Sequence, residues 1–177
     1  MMENERINFN LVQIKELAFS YSGLIDPKVT EKLEKLEVGI NVNYRWNLEK
    51  NIFGVQLDIA YVDSKSNPQT NEILKFSNYT EFIVENLNKI LKVNGPEDFE
   101  IDENLETTFV SIATSTARGM IASRTNGTFL GRFIFPLINP RELILTKKIK
   151  EGKQPSIKNQ EKEPKIKKSL QGRKGTK

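Results

Sequence analysis

Strict alternation of apolar and polar residues over residues 36–61 is the strongest pattern in the chain. Apolar side chains occupy every second position in residues 36–48 and again in residues 53–61. Successive side chains of a strand point to opposite faces, so each run predicts a strand with one apolar and one polar face. The polar residues 49–51 between the runs predict an antiparallel hairpin. Two strands alone are marginally stable, so this apolar face needs further strands or covering helices.

Two flanking segments predict two further strands. Residues 7–20 alternate at both ends, but the phase slips between Leu11 and Leu17. A slip of this kind indicates a bulge or a bend. Residues 73–84 alternate as well and predict the fourth strand. The apolar spacing after this strand predicts a short helix that continues to Lys92.

A long helix is predicted over residues 103–124. Asp102 is expected to cap it, and an acidic first turn suits the helix dipole. Apolar residues recur at spacings of three and four in two stripes. The first stripe consists of Leu105, Phe109, Ile112, Thr116 and Met120, and the second of Ala113, Ala117 and Ile121. The helix is either a plain core helix or one that also faces a neighbouring subunit. The interface in the second case would contain Ala113, Ala117, Met120 and Ile121.

An irregular apolar segment follows at residues 125–138. Asn126-Gly127 predicts a turn, and seven apolar residues then crowd together without helical spacing. Such a segment either packs into the core, which is the default, or forms a contact surface. Residues 139–142 predict the start of a last helix, because asparagine at the cap, proline at the first position and glutamate at the third favour helix initiation.

Composition excludes several kinds of chemistry. The 177 residues contain no cysteine and no histidine, which removes thiolate chemistry, the commonest general base and the commonest transition-metal ligand. We therefore expect no enzyme activity, no metal and no cofactor. No apolar run approaches the roughly 20 residues that cross a bilayer, and residues 1–6 are polar and lack a signal-peptide core. These features predict a cytoplasmic protein.

The net charge of +4 hides an uneven distribution. Residues 147–177 hold 12 Lys/Arg against 3 Asp/Glu, whereas residues 1–146 hold 15 against 20. We predict an acidic domain over residues 1–149 and a basic, disordered tail over residues 150–177. The tail contains no aromatic residue, so base stacking on nucleic acid is not expected.

Residues 111–139 resemble the SecB family of export chaperones. That family ends its long helix in a Ser-Arg-Gly-Thr-Phe segment, which Ser123-Arg124 and Gly127-Thr128-Phe129 match here with two residues in between. Residues 135–140 resemble the entry of the family into its last helix. The likeness extends over residues 8–145 and is greatest to the divergent SecB-like branch.

The resemblance implies an α+β fold, with a four-stranded antiparallel sheet and with the long and C-terminal helices on one face. It implies a homotetramer, built as a dimer of dimers, that holds unfolded or preprotein polypeptides without ATP. The implied partners are client polypeptides and either a SecA-type translocase or a toxin–antitoxin pair. The peptide-binding residues that we predict are Tyr79, Phe129, Leu130, Phe133, Phe135 and Leu137.

Two other functions stay open at this point. One is a small-molecule enzyme of the hotdog type, whose base would be Glu81 or Asp58. The other is a protein that associates with nucleic acid through its basic tail.

Overall fold

A four-stranded antiparallel sheet is the frame of the protein in the computed structural model, which describes residues 7–21, 36–63, 72–95 and 98–150. Its strands are β1 (Phe9–Tyr21), β2 (Glu37–Asn47), β3 (Ile52–Val62) and β4 (Glu72–Val84). They lie in the order β1-β4-β3-β2, so β1 and β2 are the two edges. The predicted hairpin and the two flanking strands are confirmed. The predicted tail falls outside the described residues except for Lys150.

The alternation of β3 sets which face of the sheet becomes the core. Phe53, Leu57 and Tyr61 are almost completely buried. The register places Phe53 opposite Phe82 and Tyr61 opposite Leu74 on β4, so the buried positions of both strands share one face. Each buried side chain of this size stabilises the fold by about 2 kcal/mol. Most of the stabilisation that the sheet contributes therefore comes from the buried side chains of the two central strands.

Two interruptions of the β1–β4 register give β1 an irregular edge. The register shifts between Leu11 and Gln13 and again between Glu16 and Ala18. The predicted phase slip is therefore confirmed, as two bulges. The shifts keep Leu11 opposite Phe82 and Tyr21 opposite Leu74, so both ends of the strand point apolar side chains to the core face.

A short helix and a small hairpin connect the sheet to the long helix. Helix α1 (Leu87–Ile90) is followed by strands β5 (Lys92–Val93) and β6 (Phe99–Glu100), which pair in antiparallel fashion. The predicted extension of the helix to Lys92 is wrong. Leu91 already has an extended backbone, and its N–H donates to the Leu87 carbonyl to close the single helical turn.

The long helix, α2 (Glu103–Thr125), covers the core face of the sheet. The Asp102 carboxylate accepts hydrogen bonds from the N–H groups of Asn104 and Leu105, both at 3.0 Å, so the predicted cap is confirmed. The Phe109 ring stacks on Phe82 at 4.4 Å between centroids. The helix buries mainly the small-residue stripe, whereas Ile112, Thr116 and Met120 are only half-buried.

The 3-10 helix Phe129–Arg132 and helix α3 (Pro140–Lys150) complete the described fold. The Asn139 side-chain oxygen accepts from the Arg141 N–H at 3.1 Å, and its amide donates to Glu142 at 3.3 Å. The predicted helix start is confirmed. Together these elements form the predicted α+β fold with helices on one face of a four-stranded sheet. No helix in the described ranges is both long enough and apolar enough to cross a membrane.

A buried carboxylate ties α3 to the rest of the domain. Glu106 of α2 is 2% exposed. It accepts hydrogen bonds from the Tyr44 hydroxyl at 2.8 Å and from the Lys148 ammonium at 3.0 Å. The neighbouring Lys147 donates to the Val42 carbonyl at 2.8 Å. Three elements, β2, α2 and α3, therefore meet at one set of charge-assisted hydrogen bonds.

Candidate functional site

A shallow groove opens at the end of the hairpin, where β2 forms the edge of the sheet. Its volume is about 430 Å³, and it is lined by Tyr44, Arg45, Trp46, Val93 and Gly95. Tyr44 and Trp46 stand at core-face positions of β2. They stay half-buried because an edge strand has a neighbour on one side only.

The β5–β6 hairpin supplies the other wall of the groove. Phe99 lies 5.1 Å from the Tyr44 ring and 5.0 Å from the Trp46 ring, measured between centroids. Val93, directly opposite Phe99 in this hairpin, is 41% exposed. Offset and tilted rings at these separations attract one another, and the Lys147 ammonium lies 4.5 Å from the centroid of the Tyr44 ring. With Arg45 and Gly95 in its lining, the groove is partly aromatic and partly polar.

The apolar segment after α2, part of the predicted peptide-binding site, is divided between the core and the surface. Leu130 and Phe135 are buried, Phe129 and Phe133 are half-buried, and Leu137 is 88% exposed. Core packing, the default expectation, therefore describes two of these five side chains. The other three present apolar surface beside α2, and their assignment to a peptide-binding site stays a prediction.

Tyr79, the sixth predicted residue, lies on the opposite face of the sheet. Its ring lies over Gly54, and a side chain at position 54 would collide with it. The Arg45 guanidinium lies 5.8 Å from the ring centroid. Burial raises the pKa of the Tyr79 hydroxyl, and the charge and hydrogen bond of Glu81 raise it further. The structure does not bring Tyr79 together with the residues that follow α2.

The predicted oligomer-interface residues occupy two different environments. Ala113, Ala117 and Ile121 are buried in the core between α2 and the sheet. Met120 is half-buried on the same flank as Ile112. The interface itself stays a prediction, and Met120 offers more accessible surface to a second subunit than the other three.

An apolar strip along β1 was missed by sequence reasoning. Leu11, Ile14 and Tyr21 are 45%, 44% and 42% exposed although they stand on the core face. Helix α2 lies over the two central strands and reaches β1 through Phe109 against Phe9 and Arg124 against Glu16. The alternation of this strand predicted burial. The position of α2 shows instead that the helices of the described part of the chain leave this side of β1 partly exposed.

The outer face of the sheet carries a polar network that includes Asp58, one of the two alternative catalytic bases. Asp58 accepts hydrogen bonds from Ser77 at 2.6 Å, Asn43 at 3.0 Å and Gln56 at 3.1 Å. Its oxygens thus serve as acceptors that join β2, β3 and β4. Glu81, the other candidate, is hydrogen-bonded to Tyr79 on the same face. The described residues hold no group of acidic side chains placed to bind a metal ion.

Comparisons with known proteins find solved structures that are similar to this chain at low sequence identity. Neither a protein-family model nor a curated protein sequence matches this chain. Among solved structures, the chain is similar to a SecB-like chaperone of Mycobacterium tuberculosis in complex with a peptide from an antitoxin, with 13% identity over 74% of this chain and 87% of that chain and a TM-score of 0.44. It is also similar to a protein of unknown function from Streptococcus agalactiae, with 10% identity, 70% and 94% coverage and a TM-score of 0.32. The function of this chain therefore rests on its own residues.

Proposed function

We propose that the protein is an ATP-independent holdase, a chaperone that binds apolar segments of unfolded polypeptides and keeps them from aggregating. The observation that carries this proposal is the open groove in which Tyr44, Trp46 and Val93 lie beside Arg45 and Gly95. Aromatic rings offer large contact areas, and apolar burial has no directional requirement. A groove of this kind accepts many different sequences, as a holdase must.

Several weak sites would act together in this function. The exposed parts of Phe129, Phe133 and Leu137, in the segment after α2, offer further apolar surface. When one flexible client occupies both surfaces, the second contact forms at a high effective concentration and strengthens the first. The resemblance of residues 111–139 to the SecB family supports the same function.

A homotetramer, built as a dimer of dimers, is part of the proposal. The outer edge of β1 has no partner strand among the described residues, and the partly exposed Leu11, Ile14 and Tyr21 form an apolar strip that a second copy of the chain would cover. Two copies of β1 related by a twofold axis would cover each other's strips, and the flank with Ile112 and Met120 would join two such dimers. Mass measurement in solution tests this, since a tetramer has four times the chain mass of 20.3 kDa.

The groove can be tested directly because Trp46 is the only tryptophan in the chain. Reduced insulin, which contains no tryptophan, aggregates when its chains separate and is a suitable client. We expect stoichiometric amounts of the protein to suppress this aggregation and the client to shift the Trp46 emission. Trp46→Ser is expected to weaken client binding about tenfold to a hundredfold, because a large aromatic contact is lost.

A matched control is Ile83→Asn, which removes an apolar side chain that is 42% exposed on the outer face of the sheet. This control is expected to suppress aggregation like the unmodified protein. Phe133→Ser is expected to weaken client binding without changing the mass of the assembly. Absence of suppression by the unmodified protein, or equal suppression by Trp46→Ser, would show that the proposed function is wrong.

Two forms of the proposed holdase function differ in the client protein that is bound. In one, the protein holds preproteins for a SecA-type translocase, and in the other it serves a toxin–antitoxin pair. Titration with an unfolded preprotein and with an antitoxin, both free of tryptophan and followed by Trp46 emission, separates the two.

A further inference from the structure

The turn after helix α2 places an asparagine directly before a glycine. The N–H and the hydroxyl of Thr128 both donate to the Thr125 carbonyl, at 3.0 Å and 2.7 Å, so residues 125–128 form a closed β-turn. Asn126 has φ −56° and ψ 132°, and Gly127 has φ 77°, as in a type II turn. The turn that the sequence predicts at this position is therefore confirmed.

An asparagine that precedes a glycine can modify itself. The glycine nitrogen attacks the side-chain amide carbon of the asparagine and loses its proton, a C–N bond forms, and the amide group leaves with that proton as ammonia. Water then opens the five-membered succinimide ring on either side, which yields aspartate or isoaspartate. Glycine favours the attack because it has no Cβ beside its nitrogen and allows the peptide plane to rotate.

The surroundings of Asn126 leave both reacting groups available. Asn126 and Gly127 are exposed. Within the described ranges, no hydrogen bond holds the Asn126 side chain, and the Gly127 N–H donates to no acceptor. The peptide plane between the two residues has to rotate away from the observed ψ of 132° before the ring can close, and the glycine on its far side tolerates this rotation.

The same dipeptide occurs a second time, at Asn94-Gly95, in a different backbone setting. Asn94 is exposed as well. Its N–H donates to the Asp98 carbonyl at 2.8 Å, and the Gly95 N–H donates to the same oxygen at 3.1 Å. The attacking nitrogen is therefore engaged as a donor, and both hydrogen bonds must break before the ring can close. Breaking two ordinary hydrogen bonds slows the reaction roughly tenfold to a hundredfold.

The 3-10 helix after α2 depends on the turn at Asn126. A side chain on Gly131 would come within 3.0 Å of the Thr125 carbonyl oxygen, so the two segments lie in close contact. The Thr128 hydroxyl accepts from the N–H of the buried Leu130 at 3.2 Å. Isoaspartate adds one carbon atom to the main chain between Thr125 and Thr128, which changes the geometry of the hydrogen bonds that close the turn.

We propose that Asn126 is a site of spontaneous deamidation in the folded protein, that Asn94 is protected, and that isoaspartate at position 126 loosens the 3-10 helix. Water is the co-reactant, and the reaction needs no enzyme. This inference goes beyond the proposed holdase function and does not depend on it.

Incubation of the full-length protein in oxygen-18 water at mildly alkaline pH tests the site. The water that opens the ring leaves its oxygen in the product, so the label separates reaction in the folded protein from reaction during later digestion in ordinary water. Trypsin releases the two asparagines in separate peptides, residues 93–118 and residues 125–132. We expect labelled product at Asn126 to exceed labelled product at Asn94 about tenfold or more.

Two controls show whether the fold causes this difference. In guanidinium chloride, Asn94 and Asn126 should react at similar rates, because the hydrogen bonds to Asp98 are lost. The folded variant Asn126→Gln should carry no labelled product at position 126, because the longer side chain would have to close a six-membered ring.

Amide hydrogen exchange tests the effect of the product on the 3-10 helix. Ion exchange separates the isoaspartate form, and methylation by an isoaspartate methyltransferase verifies it. The matched control is Asn126→Asp, which carries the same charge on an ordinary backbone. We expect exchange at residues 128–133 to be about tenfold faster in the isoaspartate form than in this control.

Three results would overturn the proposal. Equal labelling of Asn94 and Asn126 in the folded protein, or labelling of neither, would show that the turn does not select Asn126. Equal exchange rates in the isoaspartate form and in Asn126→Asp would show that the 3-10 helix does not depend on the length of the turn. Neither measurement uses a client, so failure of the holdase function would leave both results unchanged.

Discussion

Removing the Glu106 carboxylate should destabilise the protein more than removing any exposed carboxylate of the same helix. In Glu106→Ala, the Tyr44 hydroxyl and the Lys148 ammonium both lose their shared acceptor. The hydrogen bond to Tyr44 joins a charged group to a half-buried hydroxyl, and such bonds contribute about 1.5–3 kcal/mol. The Lys148 side chain is 39% exposed, so water screens this pair and its contribution is below about 1 kcal/mol.

These contributions predict a loss of about 2–3 kcal/mol in the free energy of unfolding. For a domain of this size, that loss lowers Tm by roughly 5–10 °C. Glu103→Ala is the matched control, because Glu103 lies in the same helical turn and its contact with Arg141 is 4.0 Å long between highly exposed side chains. The control should change the free energy of unfolding by less than about 0.5 kcal/mol.

Urea unfolding followed by Trp46 fluorescence measures both variants. Glu106→Gln should fall between them, since an amide oxygen still accepts from Tyr44 while the charge opposite Lys148 is gone. A second readout is amide hydrogen exchange in α3, which should accelerate in Glu106→Ala because the helix loses its anchor. If Glu106→Ala and Glu103→Ala unfold at the same urea concentration, the buried carboxylate does not hold the three elements together.

Two further changes test the sheet. Gly54→Ala puts a methyl group where the Tyr79 ring lies, so the ring must swing away at a cost of about 1–2 kcal/mol, and adding Tyr79→Ala should recover part of this loss in a double-mutant cycle. Burial raises the pKa of Tyr61 from 10.0 to about 12, so the unfolded chain ionises first as pH rises, and stability should fall between pH 10 and pH 12 by about 2–3 kcal/mol more than in Tyr61→Phe. At neutral pH, Tyr61→Phe should cost less than about 1 kcal/mol, because the buried hydroxyl has no hydrogen-bond partner in the described structure. Urea unfolding at several pH values between 10 and 12 measures this difference. If the free energy of unfolding falls equally with pH in both proteins, the assignment to Tyr61 is wrong.

The sheet and the long helix were predictable because their signals are local. Alternation around Leu57 and Phe82, together with the capping side chain of Asp102, specified strands, a buried face and a helix start. Two-residue strands such as β5 and β6 give no periodicity to detect. The sequence around Phe99 therefore predicted no hairpin, and the aromatic groove that depends on it was missed.

The candidate sites were less predictable because exposure depends on the placement of whole elements. Phe135 and Leu137 are both large, apolar and two positions apart, yet one is buried and the other is 88% exposed. Contacts between distant residues, such as that of Arg118 with the Phe135 carbonyl, decide this difference. Similarly, Leu11 is partly exposed because α2 lies over the central strands. The sequence pattern of β1 does not indicate where α2 lies.

The two register shifts of β1 also affect how the protein avoids growing into fibres. A long, flat and apolar edge strand can pair with one copy of the chain after another, and natural proteins interrupt such edges with local distortions. The breaks at Leu11/Gln13 and Glu16/Ala18 divide the exposed edge into short pieces that twist out of one plane. A neighbouring strand can then add in very few alignments, which disfavours propagation into amyloid-like ribbons.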